Sequence, residues 1–166
     1  MFKRILVPLD GSRVSSRALP YALEIAQHFD AEIILMQVIS PTTPFITVEP
    51  ETGIGGSSIT TKLAIEDARR EDRKNIVRSQ RYLRGKLKSV TARDIKGSYH
   101  IAMGMPAKSI LDYCKEKDVD LVVMTTSGKS GIKRAIMGSV ADVIIRDPTF
   151  PVLVIRPKDR QKKHKK

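Results

Sequence analysis

The sequence predicts an α/β fold, a doubly wound parallel sheet of five strands with helices on both faces. Two observations predict it. Short apolar runs alternate with helix-length amphipathic segments through the whole chain. Most of these runs are continuously apolar, as strands covered on both faces require. At 166 residues, with 41% hydrophobic and 29% charged side chains, the chain is long enough to bury a core and is expected to form one domain.

The elements follow in order. Phe2–Leu9 reads as the first strand, with Ile5, Leu6 and Val7 apolar on both faces. Asp10-Gly11-Ser12 is a turn, and Ser12 or Ser15 can cap the helix behind it, whose stripe is Val14, Ala18, Tyr21, Ala22, Ile25 and Phe29. Pro20 lies within that helix; it removes one hydrogen bond and should kink or delay it. Ala31–Ile39 is the second strand. Ser40–Thr61 is rich in Pro, Gly, Ser and Thr and has no period, and about twenty residues exceeds most connections, so a flexible insert is expected. Lys62–Val90 reads as one long helix, with Ile76, Leu83, Leu87 and Val90 inward and Gln80 interrupting the stripe. Its ten basic and four acidic residues suit a solvated outer face. Asp94–Met103 alternates (Ile95, Gly97, Tyr99, Ile101) and so reads as a half-exposed edge strand. Gly104-Met105-Pro106 turns into the helix Ala107–Lys117, with Pro106 near its first turn. Asp120–Met124 is the fourth strand, Ser139–Arg146 the last helix and Pro151–Ile155 the fifth strand.

Composition bounds the setting. No apolar run approaches the roughly 18–20 residues that span a bilayer, and the chain opens on a strand pattern with no leader to read. Cys114 is the single cysteine, which excludes an internal disulfide; a reducing cytoplasm is the expected compartment. Cys114 falls on the stripe Ala107, Ile110, Leu111, Cys114 and reads as a small buried hydrophobe. The net charge of +12 resembles a nucleic-acid signal until it is located. Half of it, +6, lies on Arg156–Lys166, a basic tail expected to be disordered; it could attract RNA, DNA or an anionic membrane surface, but no aromatic stacking platform accompanies it, and a solvated end is the favoured reading over a polyanion-binding one. His28, His100 and His164 lack metal-ligand spacing, and no protein-bound metal site is read.

The chemistry concentrates in Thr125-Thr126-Ser127-Gly128-Lys129-Ser130-Gly131 and, seven residues on, Gly138-Ser139. A strand that empties into a small-residue loop carrying a lysine, and then into a helix start, suits phosphate. Glycine admits close backbone approach, and helix N-terminal N–H groups point at an anion. The triplet Gly128-Lys129-Ser130 is not a Walker A loop: the position five before Gly128 is Val123, inside a strand, and Gly131 breaks any helix beginning at the lysine. The first turn, Pro8-Leu9-Asp10-Gly11-Ser12, has neither G-x-G-x-x-G nor the Ser-Gly-Gly turn of a pyrophosphatase loop. In a doubly wound sheet ligands bind at strand carboxyl ends, so Pro8–Ser12 and Met124–Gly131 are the expected lips of the crevice.

Five blocks together resemble a universal stress protein domain. They are Ile5-Leu6-Val7-Pro8-Leu9-Asp10-Gly11-Ser12, Gly104-Met105-Pro106-Ala107, Asp120-Leu121-Val122-Val123-Met124, Gly138-Ser139-Val140-Ala141 and Pro151-Val152-Leu153-Val154. The resemblance runs to about Arg156 and implies a Rossmann-like sheet of order 3-2-1-4-5, a domain over residues 1–156 with the 40–61 insert, and a basic tail over 157–166. The nucleotide-binding branch carries Gly, two residues, Gly, nine residues, then Gly-Ser or Gly-Thr. Gly128 and Gly138-Ser139 fit that spacing; Thr125 stands where the first glycine belongs. Its branched side chain could narrow the site, while its hydroxyl could donate to a ribose or phosphate oxygen.

What the resemblance implies is ATP. The adenine edge would be met by backbone at Pro8, Leu9 and Asp10 and by Val38 and Met124, and the triphosphate by Gly128, Lys129, Ser130, Gly138, Ser139 and Val140. Lys129, Lys133 and Arg134 add positive field. Asp10 could accept from a ribose hydroxyl or hold Mg2+ through water, or simply form an Asx turn. Pro151–Ile155 is apolar on both faces yet would be an edge, which supplies the motive for a homodimer through the fifth strand. With no arginine finger and no general base near the phosphates, the expected role is a nucleotide-responsive stress regulator that is at most a slow ATP hydrolase. The alternative is a nucleotide-free dimeric interaction module of the same fold.

Overall fold

The computed structural model describes residues 1–42, 59–126, 138–147 and 149–156. Most of the expected 40–61 insert, the loop 127–137 and the tail 157–166 lie outside the described residues. Five parallel strands form one sheet: β1 Arg4–Pro8, β2 Glu32–Ile39, β3 Gly97–Met103, β4 Leu121–Thr125 and β5 Val152–Ile155, in the order β3-β2-β1-β4-β5. The helices are α1 Leu19–Phe29, α2 Ile59–Thr91, α3 Pro106–Glu116 and α4 Ser139–Arg146.

Successive strand residues serve two different cores. Ile5 and Val7 of β1, Ile33 and Leu35 of β2, and Leu121 and Val123 of β4 pack with Leu19, Ala22 and Leu23 of α1 and Leu83 and Val90 of α2. Their neighbours Leu6, Ile34, Met36, Val122 and Met124 turn the other way, onto Ile110 and Cys114 of α3 and Ala141 and Ile144 of α4. This is why the strands read as unbroken apolar runs: side chains alternate across the sheet, and both sides are dry. Cys114 is 2% exposed, and burial pushes its thiol up to about 12, so it stays protonated at neutral pH.

Pro20 is accommodated by a change of helix type. Ser15–Ala18 makes a 3-10 turn, and the α-helix starts only at Leu19, so Pro20 falls in the first turn, where a missing N–H costs nothing. Helix α2 begins at Ile59, inside the segment read as an insert. Its inward face also departs from the apolar reading. Leu83 and Val90 are fully buried, but so, nearly, are Asp72 and Ser79, and Gln80 is half-buried. The Asp72 carboxylate accepts the Thr42 N–H at 2.8 Å, tying the chain after β2 to the helix. Outward, Arg69, Arg70, Arg73, Arg81 and Lys88 are exposed, and Glu71 pairs with Lys74 and Arg78 at 3.4 and 3.1 Å. Strand β3 is an edge, as its alternation suggests, but it starts at Gly97, leaving Ile95 buried before it.

At Gly97, side chains of α2 pack directly on the backbone of β3. A Cβ there would stand 2.8 Å from both Leu87 Cδ1 and Val90 Cγ1. Alanine would gain about 0.4–1 kcal/mol by restricting the unfolded chain. Against that, overpacking costs about 1–3 kcal/mol, and Val90 is both buried and stiff about χ1. Gly97→Ala is therefore expected to lower stability by about 1–2 kcal/mol. Urea unfolding should show a lower midpoint with an unchanged slope; an unchanged midpoint would mean the two elements are less tightly opposed than this.

Candidate functional site

At the carboxyl edge of the sheet the ladder beside β1 splits. Pairing with β2 runs from Arg4 through Pro8 and is continued by Leu9, whose N–H donates to Met36 O at 2.7 Å. Pairing with β4 is registered only at Ile5 and Leu6. Because alternate N–H groups of a strand point to opposite neighbours, and Leu9 points at β2, the residue facing β4 is Pro8. It has no N–H to give.

A cavity of about 320 Å3 occupies this position. Of the residues expected at the site, Pro8, Leu9, Asp10, Val38, Met124, Thr125, Gly138, Ser139 and Val140 line it together. Gly128, Lys129 and Ser130 lie outside the described residues. The cavity is also lined by Ser15, Met36, Pro106, Ile110, Thr126 and Ala141. Thr126 belongs to the stretch read as phosphate-holding, while Ser15 reads as a cap and Pro106 as a helix starter. Ala141 lies in the Gly138–Ala141 block and Ile110 on the Cys114 stripe; Met36 is a core residue of the second strand with no separate signal.

The polar lip is built by a serine network. Asp10 Oδ1 accepts the Ser12 N–H at 2.9 Å, an Asx turn, so that reading of Asp10 is realised. Gly11 follows with φ +83°, a conformation that suits glycine. The Ser15 N–H donates to Ser12 Oγ at 3.0 Å, and the Ser15 hydroxyl, 5% exposed, lies 3.2 Å from Ser12 O and 3.3 Å from the Asp10 N–H that donates to it. Ser12 Oγ thus takes up the first N–H of the 3-10 turn, whose N-cap position is Val14, and Ser15 is a buried tie between that turn and Asp10.

On the opposite wall, Thr125 is the last residue of β4, one beyond the expected strand end, and is 6% exposed. Thr126 donates its N–H to Ile155 O at 3.2 Å and accepts the Gly138 N–H, so both ends of the 127–137 loop are held together. The Gly138 N–H is committed to that bond; what Gly138 offers a ligand is the absence of a side chain. Gly138 is also the N-cap of α4 and supplies no capping side chain. The N–H groups of Ser139, Val140 and Ala141 belong to a first turn without intrahelical partners, and all three residues line the cavity. The walls are therefore apolar in the middle (Met36, Val38, Ile110, Met124) with helix-end donors at one side and a carboxylate at the other. That arrangement suits a flat apolar group carrying an anion at one end. Among the described residues no cluster of three or more His, Cys, Asp or Glu could hold a metal ion, and no helix is long and apolar enough to cross a membrane.

Comparison with known proteins agrees with this architecture. Residues 1–156 match the model of the universal stress protein family. The chain is 32% identical over 156 residues to universal stress protein MJ0531 of Methanocaldococcus jannaschii, covering 94% of this chain and 83% of that protein. Among solved structures, protein MJ0577 of the same archaeon shares the fold with a TM-score of 0.77 at 24% identity, covering 96% of this chain and 99% of that one. A universal stress protein family member from Arabidopsis thaliana, solved with AMP bound, has a TM-score of 0.62 at 18% identity over 95% of this chain and 93% of its own. A universal stress protein solved in complex with cAMP has a TM-score of 0.62 at 21% identity, over 93% and 97%. The family match spans all of the described sheet and the walls of its cavity: the chain belongs to the universal stress protein family.

Proposed function

We propose that this chain binds ATP in the cavity between the ends of β1 and β4 and acts as a dimeric, nucleotide-responsive stress regulator. The observation that carries the reading is the pairing of an apolar slot with uncapped helix-end donors: Val38 and Met124 at one end, and the first-turn amides of Ser139, Val140 and Ala141 at the other. The adenine ring lies in the slot. The Leu9 N–H is already given to Met36, so backbone contact with the base there falls to the Leu9 carbonyl, an acceptor suited to an exocyclic amine. The phosphates lie at the α4 N-terminus, where the helix dipole favours negative charge, and Gly128, Lys129 and Ser130 complete the cradle. Asp10 faces the ribose or Mg2+. The AMP-bound and cAMP-bound relatives support an adenine nucleotide as the ligand class.

Dimerisation rests on β5. Its residues Val152–Ile155 are only half-buried at a sheet edge, and α4 beside it exposes Val143 and Ile145, 45% and 37%. Pairing two such edges would cover the strand and these side chains together. Light scattering at micromolar concentration should give twice the chain mass of 18.5 kDa; a monomeric mass removes this element.

A second reading, a nucleotide-free module, is favoured by one feature: Thr125 puts a branched side chain on the cavity wall where the nucleotide-binding pattern has glycine. Nucleotide content after denaturation, and titration of ATP into stripped protein, decide between them. The parent chain is expected to release adenine nucleotide and to bind ATP. If only Thr125→Gly binds at millimolar ATP, the nucleotide-free reading holds, and if neither binds, the ATP proposal fails.

Asp10 separates turn from ligand. Asp10→Ala loses the acceptor for the Ser12 N–H and is expected to cost about 1 kcal/mol of stability. Asp10→Asn keeps that acceptor and the fold, but should weaken ATP binding by about tenfold in calorimetric titration, since hydrogen bonds to a charged group are the stronger ones. Unchanged affinity in Asp10→Asn would leave Asp10 a turn residue alone.

A further inference from the structure

A band of one-signed charge runs along the outward side of α2. From Arg73 to Lys88 the helix carries seven cations and no carboxylate. Its inward side is set by Asp72, Ser79, Leu83 and Val90, all buried, and the outward side follows from the turn of the helix. At about 100° per residue, Arg70, Lys74, Arg81 and Lys88 stand within about 40° of one another and form a crest about 27 Å long. Arg73 and Arg84 lie roughly 65° to one side of it, and Arg78 about as far to the other. Each of these side chains is exposed.

Solvation accounts for the exposure of this band but not for its single sign. The other helices place opposite charges one turn apart: Lys108 with Asp112 on α3 at 2.7 Å, and Asp142 with Arg146 on α4 at 3.1 Å. On α2 the same spacings join like charges, Arg70 with Lys74, Arg81 with Arg84 and Arg84 with Lys88, which repel and weaken the helix that carries them. Glu71 pairs with Lys74 and Arg78, and Arg84 Nε donates to Tyr99 Oη at 3.1 Å. Arg70, Arg73, Arg81 and Lys88 form no ion pair among the described residues.

We infer that this crest is a docking surface for double-stranded nucleic acid, held through its phosphates without reading the sequence. The charge complements a phosphate array, and five of the seven crest and flank cations are arginines, whose planar fork fits a phosphate. The shape selects the partner further. A convex ridge with cations on its crest and on both flanks suits a groove with phosphates on both rims, whereas a flat membrane meets the crest alone. The apolar members of the crest, Leu63 and Val77, are 56% and 54% exposed but about 21 Å apart, so they form no continuous strip to enter lipid. Single strands are held by stacking on aromatic rings, and Tyr82, the one aromatic residue of α2, turns inward to Ser16 at 2.9 Å. A duplex, whose bases already stack on each other, needs no such platform. This surface lies on the α1 and α2 side of the sheet, and it does not depend on the nucleotide reading.

The test titrates the full chain with a fluorescent DNA duplex of about 20 base pairs and arbitrary sequence, in roughly 50 to 200 mM salt. Each neutralised phosphate contributes about −0.9 to the slope of log K against log salt, so the four crest cations should give a slope near about −4 and a loss of about a hundredfold over that range. Replacing three of them together, Arg70→Gln, Arg81→Gln and Lys88→Gln, should flatten the slope by about 3 and weaken binding more than about tenfold at the lower salt. Glutamine is a good helix former, and the change relieves like-charge repulsion, so the melting temperature of this variant should equal or exceed that of the parent. The same loss should appear in a chain whose tail is also neutralised by Lys162→Gln, Lys163→Gln, Lys165→Gln and Lys166→Gln. A parent that does not bind the duplex at the lower salt overturns the inference. So does a crest variant that keeps the parent's slope, since the charge would then act from the tail, and so does a lowered melting temperature, which would make these residues structural. Binding to phosphatidylserine vesicles with none to the duplex, or tighter binding to a single strand of the same length, also overturns it.

Discussion

Pro8 sits where an N–H directed at β4 would be needed to extend the central ladder, and its ring supplies none. The consequences spread outward from that one missing donor. On the β2 side the ladder continues through the Leu9 N–H to Met36, so β1 and β2 leave the sheet together. On the β4 side the strands part after Leu6, and β4 runs on with β5 through Thr126 instead. The chain connections diverge at the same place, α1 packing on one face and α3 and α4 on the other. A crevice at this switch point is thus a property of backbone pairing before any side chain is considered.

What fills the lips of the crevice follows from polar bookkeeping. Asp10, Ser12 and Ser15 bond to one another and to the turn that starts α1, so the β1 lip is held without help from a ligand. The β4 lip is closed by the Gly138 N–H on Thr126 O, which sets the start of α4 against the strand end. Because the cap of α4 is a glycine, the donors of its first turn are left for whatever lies in the cavity. One lip is satisfied internally, and the other faces the cavity with donors. In the nucleotide reading proposed above, that asymmetry would place the anionic end of the ligand at α4.

Much of this was legible in the residues, and the exceptions have a common cause. The strands were readable because each apolar residue has a dry layer to face on whichever side it turns, which produces unbroken runs such as Ile33-Ile34-Leu35-Met36. The lips were readable because turn residues and helix starts follow strand ends directly in the chain. Buried polar positions were not readable. Asp72 and Ser79 interrupt the apolar stripe of α2 yet face inward, Asp72 with the Thr42 N–H as its partner. Ser15 reads as a surface cap and is a buried tie. A periodicity argument scores such residues as outward because their partners are fixed only by tertiary contact. The same holds for Met36 and Ile110, which are core residues by pattern and become cavity walls only because Pro8 opens the edge above them.

Thr125 shows how placement changes the meaning of a departure from a motif. Read as the first residue of a loop, its Cβ stands where backbone should approach the ligand. In the structure it ends β4 in register with Ile155, a position that suits a β-branched residue. Strand alternation gives Thr125 the same face as Leu121 and Val123, the side of α1, while Met124 turns to α3 and α4. Ser15, which shares the cavity wall with Thr125, comes from the 3-10 turn that leads into α1. The side chain is therefore directed to the face opposite Met124 while still lining the cavity, which is the feature that the Thr125→Gly comparison tests. A strand residue can take a Cβ at little cost where a loop residue in a tight turn cannot, so Thr125 is accommodated by the fold whatever it does to a ligand.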